Sequence, residues 1–160
     1  MSKRIITLGK WENKPIEWIV LKEEESCQLL ITKTKIGRKY TFNNRNNSRW
    51  DISDIRIFLN DEFFNNAFNS DEKKMVINAY LELPNQTKDN VFILSFDEAK
   101  SLIGSDDEYG CNKQCSENWC CWYRSSYSST EVYIGYPNIC SCHPNANRTF
   151  ALRPAMWIRK

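Results

Sequence analysis

The sequence ends in Leu-Arg-Pro-Ala-Met-Trp-Ile at residues 152–158, the stretch that decides the fold. Residues 155–158 are apolar and aromatic, and Phe-Ala-Leu at residues 150–152 precedes them. Runs of this kind are typical of short β-strands. The chain is therefore predicted to end in two short strands.

Two similar runs near the N-terminus predict a β-hairpin. Residues 15–21 and 27–32 are rich in β-branched and aromatic side chains, and the polar residues 22–26 separate them. Two such runs joined by a short polar link indicate antiparallel strands. Their apolar residues do not alternate strictly, which predicts strands that are buried on both faces.

The middle third carries the signals of helices. Ser and Asp within residues 51–54 favour one helix start, and the acidic residues within 69–72 favour another because they face the positive end of the helix dipole. Pro84 is predicted to end the second helix. The apolar faces are Ile55, Phe58, Leu59 and Phe63 in the first helix and Met75, Val76, Ala79, Tyr80 and Leu83 in the second.

A further strand and helix are predicted next along the chain. Residues 91–94 are apolar throughout, which predicts a short buried strand. Ser95 and Glu98 have the spacing of a capping box, in which each side chain bonds a backbone N–H at the start of a helix. This helix is predicted to run to Gly104.

Length and composition place the chain among folded single domains. It has 160 residues, of which 41% are hydrophobic and 26% charged, and this predicts one domain over residues 1–160. The net charge of +2 gives no strong field toward nucleic acid, and no apolar run is long enough for membrane insertion. Residues 1–10 lack a secretory signal pattern, which predicts a cytoplasmic protein or one that reaches a phage or cell surface without a cleaved signal.

Basic residues cluster between positions 33 and 50 and allow two interpretations. The favoured one is a solvated face, since small blocks of charge are common on single domains. The other is a nucleic-acid surface on which bases stack against Tyr40, Phe42 and Trp50. Four Asn within residues 43–47 indicate a loop rather than a groove, so we do not expect nucleic acid as the partner. The basic residues are Lys33, Lys35, Arg38, Lys39, Arg45 and Arg49.

Several short words along the chain together resemble a known family. The words are Ile16-x-Trp18-x-Val20-Leu21, Trp50-x-x-Ser53-Asp54-Ile55-Arg56, Val91-Phe92-Ile93-Leu94-Ser95, Cys121-Trp122-Tyr123-Arg124-Ser125 and the closing stretch at 152–158. In this order they resemble the bacterial and phage family called domain of unknown function 6273, from about Ile5 to Ile158. One position departs from the family, which usually has two Trp before the Arg-Ser where this chain has Trp122-Tyr123.

The resemblance implies a fold more than a function. The ending is similar to that of C-type-lectin-like domains, including the sulfatase-modifying-factor group and the variable proteins of diversity-generating retroelements. It implies an α+β, C-type-lectin-like domain with an antiparallel β-sheet, two to three helices and a long C-terminal loop region. Strand 152–158 is then expected near strands 5–8 and 16–21. Buried Trp and carbonyl-binding Arg are interpreted as scaffold: Trp18, Trp50, Trp122, Trp157, Arg56, Arg124 and Arg153.

Seven cysteines, six of them in the last third, leave three interpretations open. Sulfur and imidazole ligands at short separations suit a tetrahedral zinc ion, although the spacing matches no zinc motif. Disulfides need an oxidising compartment and would leave one thiol over. Free thiols in core and loops are the favoured interpretation, so no cofactor is predicted. The candidate metal ligands are Cys111, Cys115, Cys120 or Cys121, Cys140, Cys142 and His143.

His143 is the one histidine of the sequence, and Cys142 precedes it. Side chains of sequence neighbours diverge, and the chain has no nucleophile elbow, phosphate loop or zinc-protease motif. We therefore expect no enzymatic activity. The alternative is a metal-dependent or cysteine-based enzyme related to the sulfatase-modifying-factor folds, with Cys140, Cys142 and His143 as its reactive residues.

The composition of residues 119–149 predicts a binding surface, because sixteen of these thirty-one residues are Tyr, Ser, Asn or Cys. Tyr provides a large contact area with few rotors to freeze, and Ser and Asn provide adaptable hydrogen bonds. Diversification of Asn codons at adenine yields the same residues, as in retroelement-diversified proteins. We expect a non-enzymatic module that binds protein or carbohydrate, a satellite aromatic core being the alternative. The predicted ligand-binding residues are Tyr123, Tyr127, Ser128, Ser129, Tyr133, Tyr136, Asn138, His143, Asn145 and Asn147.

Overall fold

Short strands precede and follow a helical middle in the computed structural model, which describes residues 3–82, 85–103, 120–136 and 140–160. The strands are β1 (Ile5–Trp11), β2 (Lys14–Glu23), β3 (Cys27–Thr32), β4 (Ile36–Thr41), β5 (Val76–Ile77), β6 (Ala79–Leu81), β7 (Thr87–Asp89), β8 (Trp122–Ser126), β9 (Val132–Tyr136), β10 (Cys140–Cys142), β11 (Thr149–Leu152) and β12 (Ala155–Arg159). The helical segments are a 3₁₀ turn (Trp50–Ile52), α1 (Asp54–Phe58), a π-helical turn (Leu59–Phe63), α2 (Phe64–Ala67), α3 (Ser70–Met75) and α4 (Phe96–Leu102).

The largest sheet has five strands in the order β1-β2-β3-β12-β5, and all of its neighbours are antiparallel. β12 lies between β3 and β5, in a register that places Ala155 opposite Ile31 and Arg159 opposite Cys27. The strands from the two ends of the sequence thus share one sheet, as expected, with β3 between β2 and β12. The architecture is mixed and mostly β.

The predicted hairpin is confirmed as β2 and β3, with Ile19 opposite Ile31. A second hairpin, β1 and β2, turns at Glu12 and Asn13, whose φ angles of 49° and 63° are those of a type I′ turn. Gly9 also has a positive φ, and a Cβ at this position would lie 2.7 Å from the Ala67 carbonyl oxygen. Only glycine therefore allows β1 to approach α2 so closely.

Three smaller sheets complete the fold, and two of them position the loops discussed below. β11 pairs with β4, which places Phe150 opposite Tyr40. β8, β9 and β10 form an antiparallel meander, and β6 pairs with β7. The pairing of β11 with β4 brings the last loop of the chain beside the residues that precede the helices.

The first predicted helix is confirmed as one helical run over residues 54–67. It starts at Ser53, whose hydroxyl accepts a hydrogen bond from Arg56 N at 3.1 Å. Satisfying an amide of the first turn in this way stabilises a helix start by about 1 kcal/mol. Its buried residues are Ile55, Leu59, Phe63 and Ala67.

Capping boxes start the other two helices where the sequence predicts them. The Asn69 and Ser95 side chains each accept a backbone N–H three residues on, and Glu72 and Glu98 each accept the backbone N–H of their cap residue. Both helices carry acidic residues in the first turn, which the helix dipole favours. Gly104, the predicted end of α4, lies outside the described residues.

The second helix is shorter than predicted, because α3 ends at Met75. Val76 and Ile77 form β5 against β12, and residues 79–81 form β6. β-Branched side chains pack well on a pleated sheet, and pairing with β12 gives their backbone groups partners. The apolar spacing after Met75 thus reflects burial in sheets, while Leu83 and Pro84 lie outside the described residues.

Residues 91–94 are buried as predicted, but they do not form a regular strand. Their sheet contact is a single β-bridge between Phe92 and Ala155. The Asn60 side chain bonds the N–H and C=O of residue 91 at 3.2 and 2.8 Å, and Arg124 donates to the carbonyl of residue 93 at 2.8 Å. Side chains therefore satisfy backbone groups that a neighbouring strand would otherwise bond.

Three tryptophans are almost completely buried, and the indole N–H of each donates a hydrogen bond. This pairing matters because a buried N–H without an acceptor costs about 1–3 kcal/mol. The bonds run from Trp18 to Leu8 O at 2.8 Å, from Trp50 to Asp89 Oδ2 at 3.0 Å and from Trp122 to Tyr40 O at 2.8 Å. Trp157, which the sequence places with them, is only partly buried, and Lys22 Nζ lies 5.8 Å from its ring.

The three predicted scaffold arginines bind backbone carbonyls, as expected. Each joins parts of the chain that are distant in sequence or holds the start of a helix. The contacts run from Arg56 to Asp51 O at 3.0 Å, from Arg124 to Ile93 O at 2.8 Å and from Arg153 to Thr32 O at 2.9 Å.

Candidate functional site

Three loops converge on one side of the molecule, at residues 43–49, 126–131 and 143–148. Ser48 in the first loop connects it to the second. Its N–H donates to Ser129 O at 3.0 Å, its hydroxyl donates to Ser128 O, and its carbonyl accepts from Ser126 Oγ at 2.7 Å. We call the exposed face of these loops the three-loop surface.

The third loop is joined to both others, again mainly through backbone atoms. Ala146 N donates to Thr130 O at 2.7 Å, and Ala146 O accepts from Asn43 N at 2.9 Å. Ala146 is fully buried, so the crossing point of the loops is closed to water. Because backbone atoms make these links, the exposed side chains nearby are not needed to hold the loops together.

The turn of the second loop is built by Ser128. Its hydroxyl donates to Glu131 Oε2 at 2.8 Å and accepts from Glu131 N at 3.2 Å. Tyr127 N donates to Glu131 O at 2.8 Å, which closes the turn between β8 and β9. Serine favours such turns because its hydroxyl can bond backbone groups a few residues away. Ser128 therefore shapes the loop rather than presenting a free hydroxyl.

An aromatic stack lies along the three-loop surface. The rings of Tyr127 and His143 are parallel within 3°, with centroids 3.7 Å apart. His143 meets the Tyr133 ring nearly at a right angle at 4.7 Å, and Tyr133 stacks on Phe96 of α4 at 4.8 Å. The stack thus connects the surface to the helix beneath it, and each ring restricts the next.

The predicted binding residues fall into different environments. Tyr127 is 55% exposed, and Ser129, Asn145 and Asn147 are exposed as well. Tyr133, His143 and Ser128 are half-buried, and all seven lie in or beside the three loops.

Tyr123 is not part of this surface, although the sequence groups it with the binding residues. It is 8% exposed, its hydroxyl donates to Gly135 O at 2.9 Å, and its ring packs on Phe96. A strand alternates its side chains between two faces, and this one points inward. The side chain of Tyr136 and the whole of Asn138 lie outside the described residues.

The first loop contributes residues that the sequence did not assign to a binding surface. Asn44, Arg45 and Arg49 are exposed there, and the Asn46 side chain accepts the backbone N–H of Asn147 at 3.4 Å. The signal that indicates this role is the cluster of four Asn at positions 43–47, which marks a loop but not its neighbours. Its contacts lie about 80 to 100 positions away in the sequence.

The alternative of a nucleic-acid surface over residues 33–50 is not supported by the positions of its aromatic rings. Phe42 and Trp50 are fully buried, and Tyr40 packs on Phe58 with centroids 4.7 Å apart. Stacking of bases needs exposed ring faces. Among the basic residues, Lys33 pairs with Glu17 at 2.8 Å and Arg49 with Asp51 at 2.6 Å.

The cysteine and metal candidates are only partly covered by the structure. Cys120 and Cys121 are buried, and Cys142 and Cys27 are half-buried thiols. Cys111, Cys115 and the side chain of Cys140 lie outside the described residues. Within the residues that are described, no group of three or more His, Cys, Asp or Glu side chains has a metal-binding arrangement. His143 there takes part in the aromatic stack.

A buried ion pair supports the strand that leads into the second loop. Arg124 of β8 is 3% exposed and binds Glu98 of α4 through two nitrogen–oxygen contacts of 2.5 and 2.6 Å. Burial alone would raise the pKa of Glu98, but hydrogen bonding and attraction to Arg124 override it, and the pKa lies below its ordinary value. This pair fixes β8, and hence Tyr127, relative to α4.

The lowered pKa of Glu98 predicts a pH dependence of stability. A carboxylate that is more acidic in the folded state stabilises the fold above its unfolded pKa, and that contribution is lost as the pH falls through the folded pKa. We expect the free energy of unfolding to fall more steeply below about pH 4.5 in the native chain than in Glu98→Gln. Urea unfolding across pH 3 to 7 measures this, and parallel curves would contradict it.

The loops and the sheet define a mainly antiparallel β domain of modest size that presents a polar and aromatic surface. A family model described as Domain of unknown function (DUF6273) matches residues 25–160. The chain belongs to this family, and β1 and most of β2 lie before the matched region. No curated protein and no solved structure matches the chain.

Membrane insertion was not expected from the sequence. Over the described residues, every helix is too short or too polar to cross a bilayer.

Proposed function

We propose that the chain is a non-enzymatic binding module whose three-loop surface takes a protein or carbohydrate ligand. The observation that carries this proposal is Tyr127, which is 55% exposed yet backed by His143 at 3.7 Å. A large exposed ring that is already immobilised loses little entropy on binding, so its contact area contributes to affinity. Ser129, Asn145 and Asn147 supply hydrogen-bonding groups around it.

The construction of the loops supports the same proposal. Backbone links through Ser48 and Ala146 hold the loops in place, so the exposed side chains are available for contacts. Function is commonly placed on loops that a rigid scaffold positions. The exposed residues also match a diversified surface, in which Tyr, Ser, Asn and His vary while the scaffold is kept.

A C-type-lectin-like architecture is the second part of the proposal. Strands from both ends of the sequence share one sheet, helices lie in the middle of the chain, and a long loop region follows β8. These features fit that plan, as does an origin in bacteria or phage among retroelement-diversified proteins. The support is architectural, and function is argued from the surface alone.

Removing the exposed ring is expected to change stability little. We expect Tyr127→Ala to lower the free energy of unfolding by about 0.5–1 kcal/mol, since the ring is half exposed and contributes mainly its stacking contacts. Urea unfolding at neutral pH measures the change. A loss of several kcal/mol would place Tyr127 in the core and remove the main support for a binding surface.

Binding itself is tested with a combined array of proteins and glycans, probed with the native chain and with the variant Tyr127→Ala/Asn145→Ala/Asn147→Ala. We expect at least one ligand that binds the native chain and is lost in the triple variant. The variant Tyr80→Ala is the matched control, because Tyr80 is 54% exposed but lies on β6, outside the three loops. An array with no ligand, or one that the triple variant binds equally well, would contradict the proposal.

A further inference from the structure

We infer that the ligand of the three-loop surface is a carbohydrate, recognised by stacking of a sugar ring on the outer face of Tyr127. The inference rests on the binding role proposed above and chooses between the two ligand classes left open there. Three features carry it: the orientation of the Tyr127 ring, the groups around it, and the scarcity of other apolar contact area.

The orientation of Tyr127 leaves one ring face for a ligand. His143 covers one face at 3.7 Å, and Tyr133 meets the ring nearly at a right angle at 5.7 Å. With these sides occupied, the exposed 55% of the residue includes the opposite face. A flat aromatic face that is fixed in advance suits the C–H face of a sugar ring, which is apolar and rigid.

The groups around the ring are mostly neutral and both donate and accept hydrogen bonds. Ser129 is next to the turn, and Asn145 forms a β-bridge with Glu131, whose carbonyl binds Tyr127 N at 2.8 Å. Asn147 follows two residues later and is exposed. Amides and hydroxyls pair with sugar hydroxyls, which likewise donate and accept.

The small apolar area of the surface argues against a protein ligand. Among the exposed large hydrophobic side chains of the described chain, only Tyr127 lies in the three loops. A stable protein interface buries about 800 Å² on each partner and is centred on a cluster of apolar and aromatic anchors. A single ring surrounded by amides is better matched to a ligand of one or two sugar rings.

The experiment is a saturation-transfer NMR titration with soluble disaccharides of glucose, galactose, mannose and N-acetylglucosamine. We expect at least one to bind with a dissociation constant on the order of 1 mM, the range of a single stacked ring with a few hydrogen bonds. Tyr127→Ala should weaken that binding at least tenfold, while Tyr127→Phe, which keeps the ring, should stay within about twofold. Tyr80→Ala should bind as the native chain does.

The outcomes separate this inference from the binding role on which it rests. Absence of transfer to all of the sugars, or equal binding by Tyr127→Ala, overturns the carbohydrate assignment. If the array then gives a protein ligand that the triple variant loses, the binding role stands with a protein partner. Weaker sugar binding in Asn145→Ala, by about threefold or more, would support the hydrogen-bonding part of the inference.

Discussion

Asp89→Ala is expected to lower the free energy of unfolding by about 3–5 kcal/mol, the cost of removing one partner from a buried ion pair. Asp89 is fully buried. Its carboxylate accepts from Arg56 Nε at 2.7 Å, from Trp50 Nε1 at 3.0 Å and from Thr87 Oγ1 at 2.7 Å. Without it, a half-buried guanidinium and a buried indole N–H would lose this acceptor. Urea unfolding measures the loss.

Two further variants make this prediction specific. Asp89→Asn keeps the shape but not the charge, so we expect an intermediate loss. Asp71→Ala is the control, because its side chain is 91% exposed and pairs with an exposed Lys74, an interaction worth at most about 1 kcal/mol. If Asp89→Ala and Asp71→Ala unfold at similar urea concentrations, the buried network does not stabilise the fold as described.

The second large effect is expected for Trp122→Ala, at about 3–5 kcal/mol, since it leaves a cavity in the core. The side chain is 1% exposed and packs on Phe42 and Phe150, with ring centroids 5.5 and 4.9 Å apart. The variant also removes the hydrogen bond to Tyr40 O. Because Trp122 joins β8 to β4, the three loops should become less ordered as well, which amide hydrogen exchange would detect.

Trp157→Ala provides the comparison within the same chemistry. The sequence grouped Trp157 with the buried tryptophans, but it is partly exposed, so less apolar surface is lost on truncation. We expect a clearly smaller loss of stability than for Trp122→Ala. Equal losses in the two variants would mean that burial does not decide the cost at these positions.

Local signals in the sequence predicted much of the scaffold. The caps at Ser53, Asn69 and Ser95 were found because capping depends on residues only three positions apart. The hairpin of β2 and β3 was found for a similar reason, since its strands are close in sequence. The helix predicted through residues 76–81 was wrong because β5 depends on β12, about 80 positions away.

The candidate site was predicted in part, for the same physical reason. Composition pointed to Tyr127, Asn145 and Asn147, which are exposed, because paratope-like residues are unusual in a core. Composition could not separate Tyr123 from Tyr127, since the face of a strand to which a residue points depends on its register. The first loop was missed because its hydrogen bonds to Ser129 and Ala146 join distant parts of the chain.

The central place of β12 has a consequence for how the chain acquires its fold. Residues 155–159 pair with residues 27–31, so one strand pairing closes a loop of more than 120 residues. Contacts between such distant positions slow folding, because the entropy of closure is lost before the contacts form. During synthesis, β3 must wait with one edge unpaired until the last strand is available. We expect this waiting intermediate, rather than the native protein, to be the form most prone to aggregation.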